Sequence, residues 1–263
     1  MADELLYGRP TGLLALGFLV LLLIAAELGF VVGRRYRSRS DEPTMSQITT
    51  VQAGVLGLLG LLLGFTFTMA VSRYDARKHL VVEEATSIST AVLRGQLLPA
   101  PQAEDVAGLF REYVDARLQA TERERRDQEP GALRARTIRI QSQLWAQATA
   151  AAEKDPRAVT VGLFAQALNE MFDNRARWQA ALDDHVPESV LFLLAVVALF
   201  AVGITGFGFG LRGHRAMLAQ LSLWLLITLV VLVIVDLDRP RRGLIRVSQT
   251  SLLNLQESLS RNP

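Results

Sequence analysis

Between Gly54 and Lys78 the chain gathers three kinds of residue that could act on ions. Gly54, Gly57, Gly60 and Gly64 recur at intervals of three, three and four, so a helix carries them on one face. There a second backbone can pack closely, or several copies of the helix around an axis leave an open lumen. Leu61 and Phe65, one turn apart in the same run, would narrow such a lumen with apolar side chains. A narrow apolar passage stops ions by losing its water. Arg73, Asp75, Arg77 and Lys78 follow within two turns. At a membrane boundary they serve as interfacial anchors and local ion pairs, or, multiplied by symmetry, as a charged ring at a pore mouth. Asp75, Glu83 and Glu84 leave the sign of the favoured ion open. Glu27 is the ionisable residue that lies well inside an apolar run. A carboxylate there must be neutralised or paired, and the Arg34–Arg35 flank is the expected source of a snorkelling partner. Proton-coupled transport is the sharper chemistry it allows.

The elements that must position these residues follow from the distribution of hydrophobicity. Half of the 263 residues are hydrophobic and 21% are charged. The apolar residues concentrate in four blocks, Thr11 to Val32, Val51 to Val71, Val190 to Gly210 and Ala216 to about Asp236. Each, as a helix rising ~1.5 Å per residue, is long enough to cross a hydrocarbon core of about 30 Å. The polar stretch Arg73 to Pro187 holds 16 Lys+Arg and 17 Asp+Glu, a balance that suits a solvated globular domain. Its apolar residues recur at three and four without strand-type alternation. Pro99 and Pro101, Pro130-Gly131 and Asp155-Pro156 break it into helices over roughly Glu104 to Arg126 and Ala158 to Asp184, with another between them. The expected fold is all-α: four transmembrane helices in a 2+2 arrangement with a helical soluble insert between the second and third. Residues 1–72 would hold the first two spans, 73–187 the soluble domain, 188–238 the other two spans and 239–263 an amphipathic tail.

Several classes are excluded. There is no cysteine, so disulfide scaffolds and thiolate metal sites are ruled out. The formal charge of +2 is too small for a nucleic-acid surface. His79, His185 and His214 are scattered, and no phosphate-binding loop, nucleophile elbow or dinucleotide fingerprint occurs. No metal, cofactor or enzymatic reaction is expected. The first apolar block is too long for a signal peptide, is preceded by Asp3 and Glu4, and reads as an anchor. Arginines flank both membrane ends, and their count favours cytoplasmic termini and insert by a narrow margin.

Leu63-Gly64-Phe65, then Ala70, Arg73-Tyr74 and Arg77-Lys78, resembles the pore-helix signature of bestrophin channels. The whole layout, including Val81-Val82-Glu83-Glu84-Ala85 and Leu237-Asp238-Arg239-Pro240-Arg241-Arg242-Gly243, is similar to a bacterial bestrophin-like membrane family of uncharacterised function. The resemblance implies a homo-oligomer, pentameric in bestrophins, in the bacterial inner membrane. Its axial pore would pass a small ion through a neck built by the helix carrying Phe65. Phe65 falls on a neck aromatic, Leu61 on the position one turn earlier, and Gly57, usually bulky in the family, on the one before that. The acidic calcium clasp of animal bestrophins has no counterpart here. Two functions therefore stand: an oligomeric ion channel in the lipid bilayer, and, from another class, a non-conducting scaffold or sensor whose helical insert binds a protein.

Overall fold

The computed structural model describes residues 11–39, 42–126, 128–213, 215–239 and 243–261. Among them are eight α-helices and one 3-10 turn, and no strand. They are α1 (Thr11–Tyr36), α2 (Glu42–Gly95), α3 (Gln102–Arg125), α4 (Gly131–Lys154), α5 (Val159–Asp183), α6 (Glu188–Arg212), α7 (Met217–Asp238) and α8 (Thr250–Arg261). Four of them, α1, α2, α6 and α7, are long and apolar enough to cross a membrane. The chain is an all-α, multi-pass membrane protein. Helix ends follow local chemistry. Pro101 and Pro130 immediately precede α3 and α4, and α3 opens with Glu104 and Asp105 and closes with Arg123 and Arg125, each sign matching the helix dipole. The α6 terminus is capped by Gly213 at φ 74°, whose N–H reaches the carbonyls of Phe209 and Gly210.

The chain divides into two compact units, residues 1–72 with 185–239, and residues 73–184 with 240–263. In the first, α1 and α6 are packed backbone to backbone. A Cβ placed on Gly29 would fall on the Gly203 carbonyl oxygen, one on Gly33 on that of Phe207, one on Gly206 on that of Ala26, and one on Gly210 on that of Phe30. Both members of each pair advance together by four residues, so the two helices run parallel. Gly206 and Gly210 sit in an unbroken α6 and admit α1, while Gly208 faces the Gln52 side chain of α2. α7 also lies against α1. The first part of α2 buries Leu59, Thr66 and Ala70, spaced to share one face, and Gln52 donates to the Ile204 carbonyl at 2.7 Å.

The second unit is built from the rest of α2 with α3, α4, α5 and α8. Its core joins Val81, Ile88 and Ala91 of α2 to Phe110 and Tyr113 of α3, Leu144 of α4, and Phe164, Leu168 and Met171 of α5. Phe110 and Phe164 meet edge to face, 6.4 Å between centroids. Leu252 and Leu255 of α8 belong to the same core, and Gln256 donates to Asp115 at 2.6 Å. Within the expected amphipathic tail of residues 239–263 the helix begins at Thr250, and Leu252 and Leu255 are the leucines it buries.

Substituting Gly206 by Leu should push α1 off α6. Overpacking of this kind costs about 1–3 kcal/mol. Thermal denaturation of the detergent-solubilised chain should show a lowered midpoint for Gly206→Leu. Gly12→Leu, where nothing lies within 4 Å, should leave the midpoint unchanged.

Candidate functional site

The glycines singled out on α2 behave unlike Gly29 and Gly33 of α1 and Gly206 and Gly210 of α6. Around Gly54, Gly57, Gly60 and Gly64 nothing lies within 4 Å of where a Cβ would sit. All four are exposed, as are Leu61 at 54% and Phe65 at 65%. This face lies across the helix from Leu59, Thr66 and Ala70, at the angular separation that 3.6 residues per turn requires. Within one chain, then, the backbone-wide approach that glycines permit is used between α1 and α6, while α2 keeps its small-residue face open beside two large apolar side chains. Thr66 and Thr68 return their hydroxyls to the helix's own carbonyls at 2.7 and 2.9 Å, so they bring no polar crosslink to neighbouring helices.

The four charges that follow separate into different environments. Arg77 is buried. Its Nε donates to the Ala181 carbonyl at 3.0 Å and its Nη2 to that of Asp184 at 2.7 Å, so it closes the carbonyl end of α5, where a cation is also favoured by the dipole. It is thereby withdrawn from the solvated set that the sequence suggested. Arg73, partly exposed, pairs with the exposed carboxylate of Asp184 at 2.7 Å. Asp75 and Lys78 are exposed, with His79, Val82 and Glu83 on the following turns.

Glu27 has a partner, though not from the expected flank. Arg215, in the connector between α6 and α7, spans both carboxylate oxygens at 2.8 and 3.0 Å, and its guanidinium stacks 4.1 Å from the Phe30 ring centroid. The bidentate fork and the aromatic face both suit arginine over lysine. Asp238, at the end of α7, accepts the Val186 N–H at 2.8 Å, and the His185 ring lies 3.0 Å from the Asp238 carbonyl. That bond ties the start of the α6 segment to the end of α7. Pro240, Arg241 and Arg242 of the tail motif lie outside the described residues.

A further cluster carries more buried charge than any residue singled out from the sequence. Glu84 is fully buried, and Arg117 holds it through Nε at 2.9 Å and Nη2 at 3.0 Å. Arg117 also donates to Thr121 and lies 5.3 Å from the Trp178 ring. Arg175 approaches the same carboxylate at 3.6 Å. Burial works against the Arg117 charge, but the attraction and hydrogen bonds of Glu84 outweigh it and raise its pKa. Arg175 is lowered, first by burial and then by repulsion from Arg117. The Tyr113 hydroxyl is raised, chiefly by burial and next by the Glu84 charge. The only hint in the sequence was Glu84 within the Val81 to Ala85 motif; neither arginine was marked by its spacing.

Residues 19–252, most of the chain, match the Bestrophin-like domain family. This chain is a member of the bestrophin-like family. Solved structures agree with its fold. A bacterial bestrophin homolog from Klebsiella pneumoniae, carrying one substitution, superposes with a TM-score of 0.66 at 14% identity, covering 94% of this chain and 98% of that one. Another variant of the Klebsiella pneumoniae homolog gives 0.63 at 15% identity over 93% and 97%. A structure described as a membrane protein gives 0.64 at 14% identity over 94% and 97%. No curated protein is a significant match.

Two outcomes test the buried cluster of this bestrophin-like chain. Glu84→Gln leaves two buried guanidinium groups without their shared counter-charge and should destabilise the protein by about 3–5 kcal/mol, read as a lowered thermal midpoint. The raised Tyr113 pKa means that the folded state keeps a proton which the unfolded state loses near pH ~10. This contribution to stability is complete below that pH and declines above it. Tyr113→Phe should therefore flatten the fall of the thermal midpoint between about pH 10 and 11.

Proposed function

We propose that this protein is an oligomeric membrane ion channel in which copies of α2 surround an axial pore. The observation that carries the reading is the open face of α2. Four glycines with free space around them, flanked by exposed Leu61 and Phe65, share one face of this spanning helix. Close backbone approach around an axis uses such a face, and a second turn of apolar side chains supplies a dewetting gate. Membership of the bestrophin-like family supports the same reading.

In this reading Phe65 and Leu61 form the neck. Gly57 continues the lining without narrowing it, so the constriction is two side chains long. Gly54, Gly60 and Gly64 let the copies of α2 approach one another. Arg73, Asp75 and Lys78 lie at the mouth, while Arg77 fixes α5 and acts on ions only through the position of that helix. Glu27 is a paired intramembrane carboxylate that holds the α6–α7 connector through Arg215. Five subunits in a bacterial inner membrane, with the second unit and the termini cytoplasmic, complete the proposal.

Phe65→Ala tests it. In planar bilayers the purified variant should conduct with a raised open probability or a single-channel conductance changed at least about twofold relative to the native chain. Currents identical in size and gating would take Phe65 out of the permeation path.

A further inference from the structure

In the core of the second unit, α2, α3 and α5 bring two guanidinium groups to a single carboxylate. Glu84 gives both of its oxygens to Arg117, with contacts of 2.9 Å and 3.0 Å. Arg175 receives no equivalent share. Its Nη1 is buried and finds no hydrogen-bond acceptor among the described residues, and Glu84 Oε1, at 3.6 Å, lies beyond hydrogen-bonding reach. Glu124, the other carboxylate whose field reaches both arginines, is already engaged by Arg134. Two positive charges therefore share one committed negative charge inside a core, and the surplus falls on Arg175. Arg175, its side chain 11% exposed, thus keeps a mostly buried guanidinium with only a distant share of that counter-charge, a costly arrangement for a fold to hold.

The surplus defines what would relieve it. A water molecule would satisfy the N–H donor but leave the charge. A divalent anion would overshoot a surplus of one. Tyr113 adds a second donor to the same field. It accepts from Gln141 Nε2 at 3.4 Å, which leaves its own proton to give, and its raised pKa keeps that proton in place. We infer that the core of the second unit holds a small monovalent inorganic anion of halide type, bound at Arg175 Nη1 beside the Glu84–Arg117 pair. The site does not rest on the proposed function and stands whether or not the protein conducts.

The test uses the full-length protein in detergent, with chloride, bromide or gluconate at matched ionic strength. Chloride and bromide should raise the thermal midpoint by about 2–6 °C over gluconate, with saturation as the concentration rises. Arg175→Met should lose this dependence, while Phe65→Ala should keep it. Crystals of the native chain soaked in bromide should show an anomalous peak within hydrogen-bonding distance of Arg175 Nη1. Equal midpoints in chloride and gluconate would overturn the inference. So would bromide-soaked crystals with no peak at Arg175, or a halide dependence that survives in Arg175→Met. If that variant does not fold, the bromide position in the native protein decides alone.

Discussion

Lipid tails are as apolar as leucine, so two helices in a bilayer gain little by simply burying apolar side chains against each other; they must gain by close contact. Here that contact is made between α1 and α6. Gly29, Gly33, Gly206 and Gly210 each stand where a methyl group would strike the carbonyl of the opposing helix. The parallel pairing settles how the remaining spans are deployed. α7 lies against α1, and α2 is held by one face through Leu59, Thr66, Ala70 and the Gln52 amide. The opposite face of α2 is then left for something other than its own chain.

The second unit is held differently. Its apolar core is conventional helix packing, but inside it lies the Glu84–Arg117 pair with Arg175 alongside. Removing either partner of such a pair costs far more than the pair itself contributes, so the cluster fixes how α2, α3 and α5 meet. Arg77 plays a related part at the end of α5, satisfying carbonyls that no further turn of helix can reach. Both arrangements use arginine, whose planar fork can span two acceptors at once.

Much of this was legible in the residues. The four apolar blocks, the breaks at Pro99 and Pro101, Pro130-Gly131 and Asp155-Pro156, and the all-α insert depend on local chemistry that periodicity reports directly. What periodicity does not report is the partner of each face. The α2 glycines and the α1 and α6 glycines look alike in sequence, and only the fold separates those that pack from those that stay open. Arg77 and Lys78 are neighbours, yet one helical step of about 100° takes Arg77 into the core and leaves Lys78 in solvent. Glu27 and Arg215 are 188 positions apart, as Glu84 and Arg117 are 33 apart, and no local pattern joins them. Flanking arginines suggested Arg34 or Arg35 for Glu27; the connector supplies Arg215 because α1 and α6 run parallel and end together.

An axial pore lined by α2 requires several copies of the chain, and the number of copies is the most direct test of that claim. Native mass spectrometry of the protein released from mild detergent would count them. The account predicts a single closed homo-oligomer, with five subunits, that loses its integrity when bulk is added at the packing glycines of the open α2 face by Gly60→Leu or Gly64→Leu. A stable monomer, with the α2 face open to lipid alone, would contradict it.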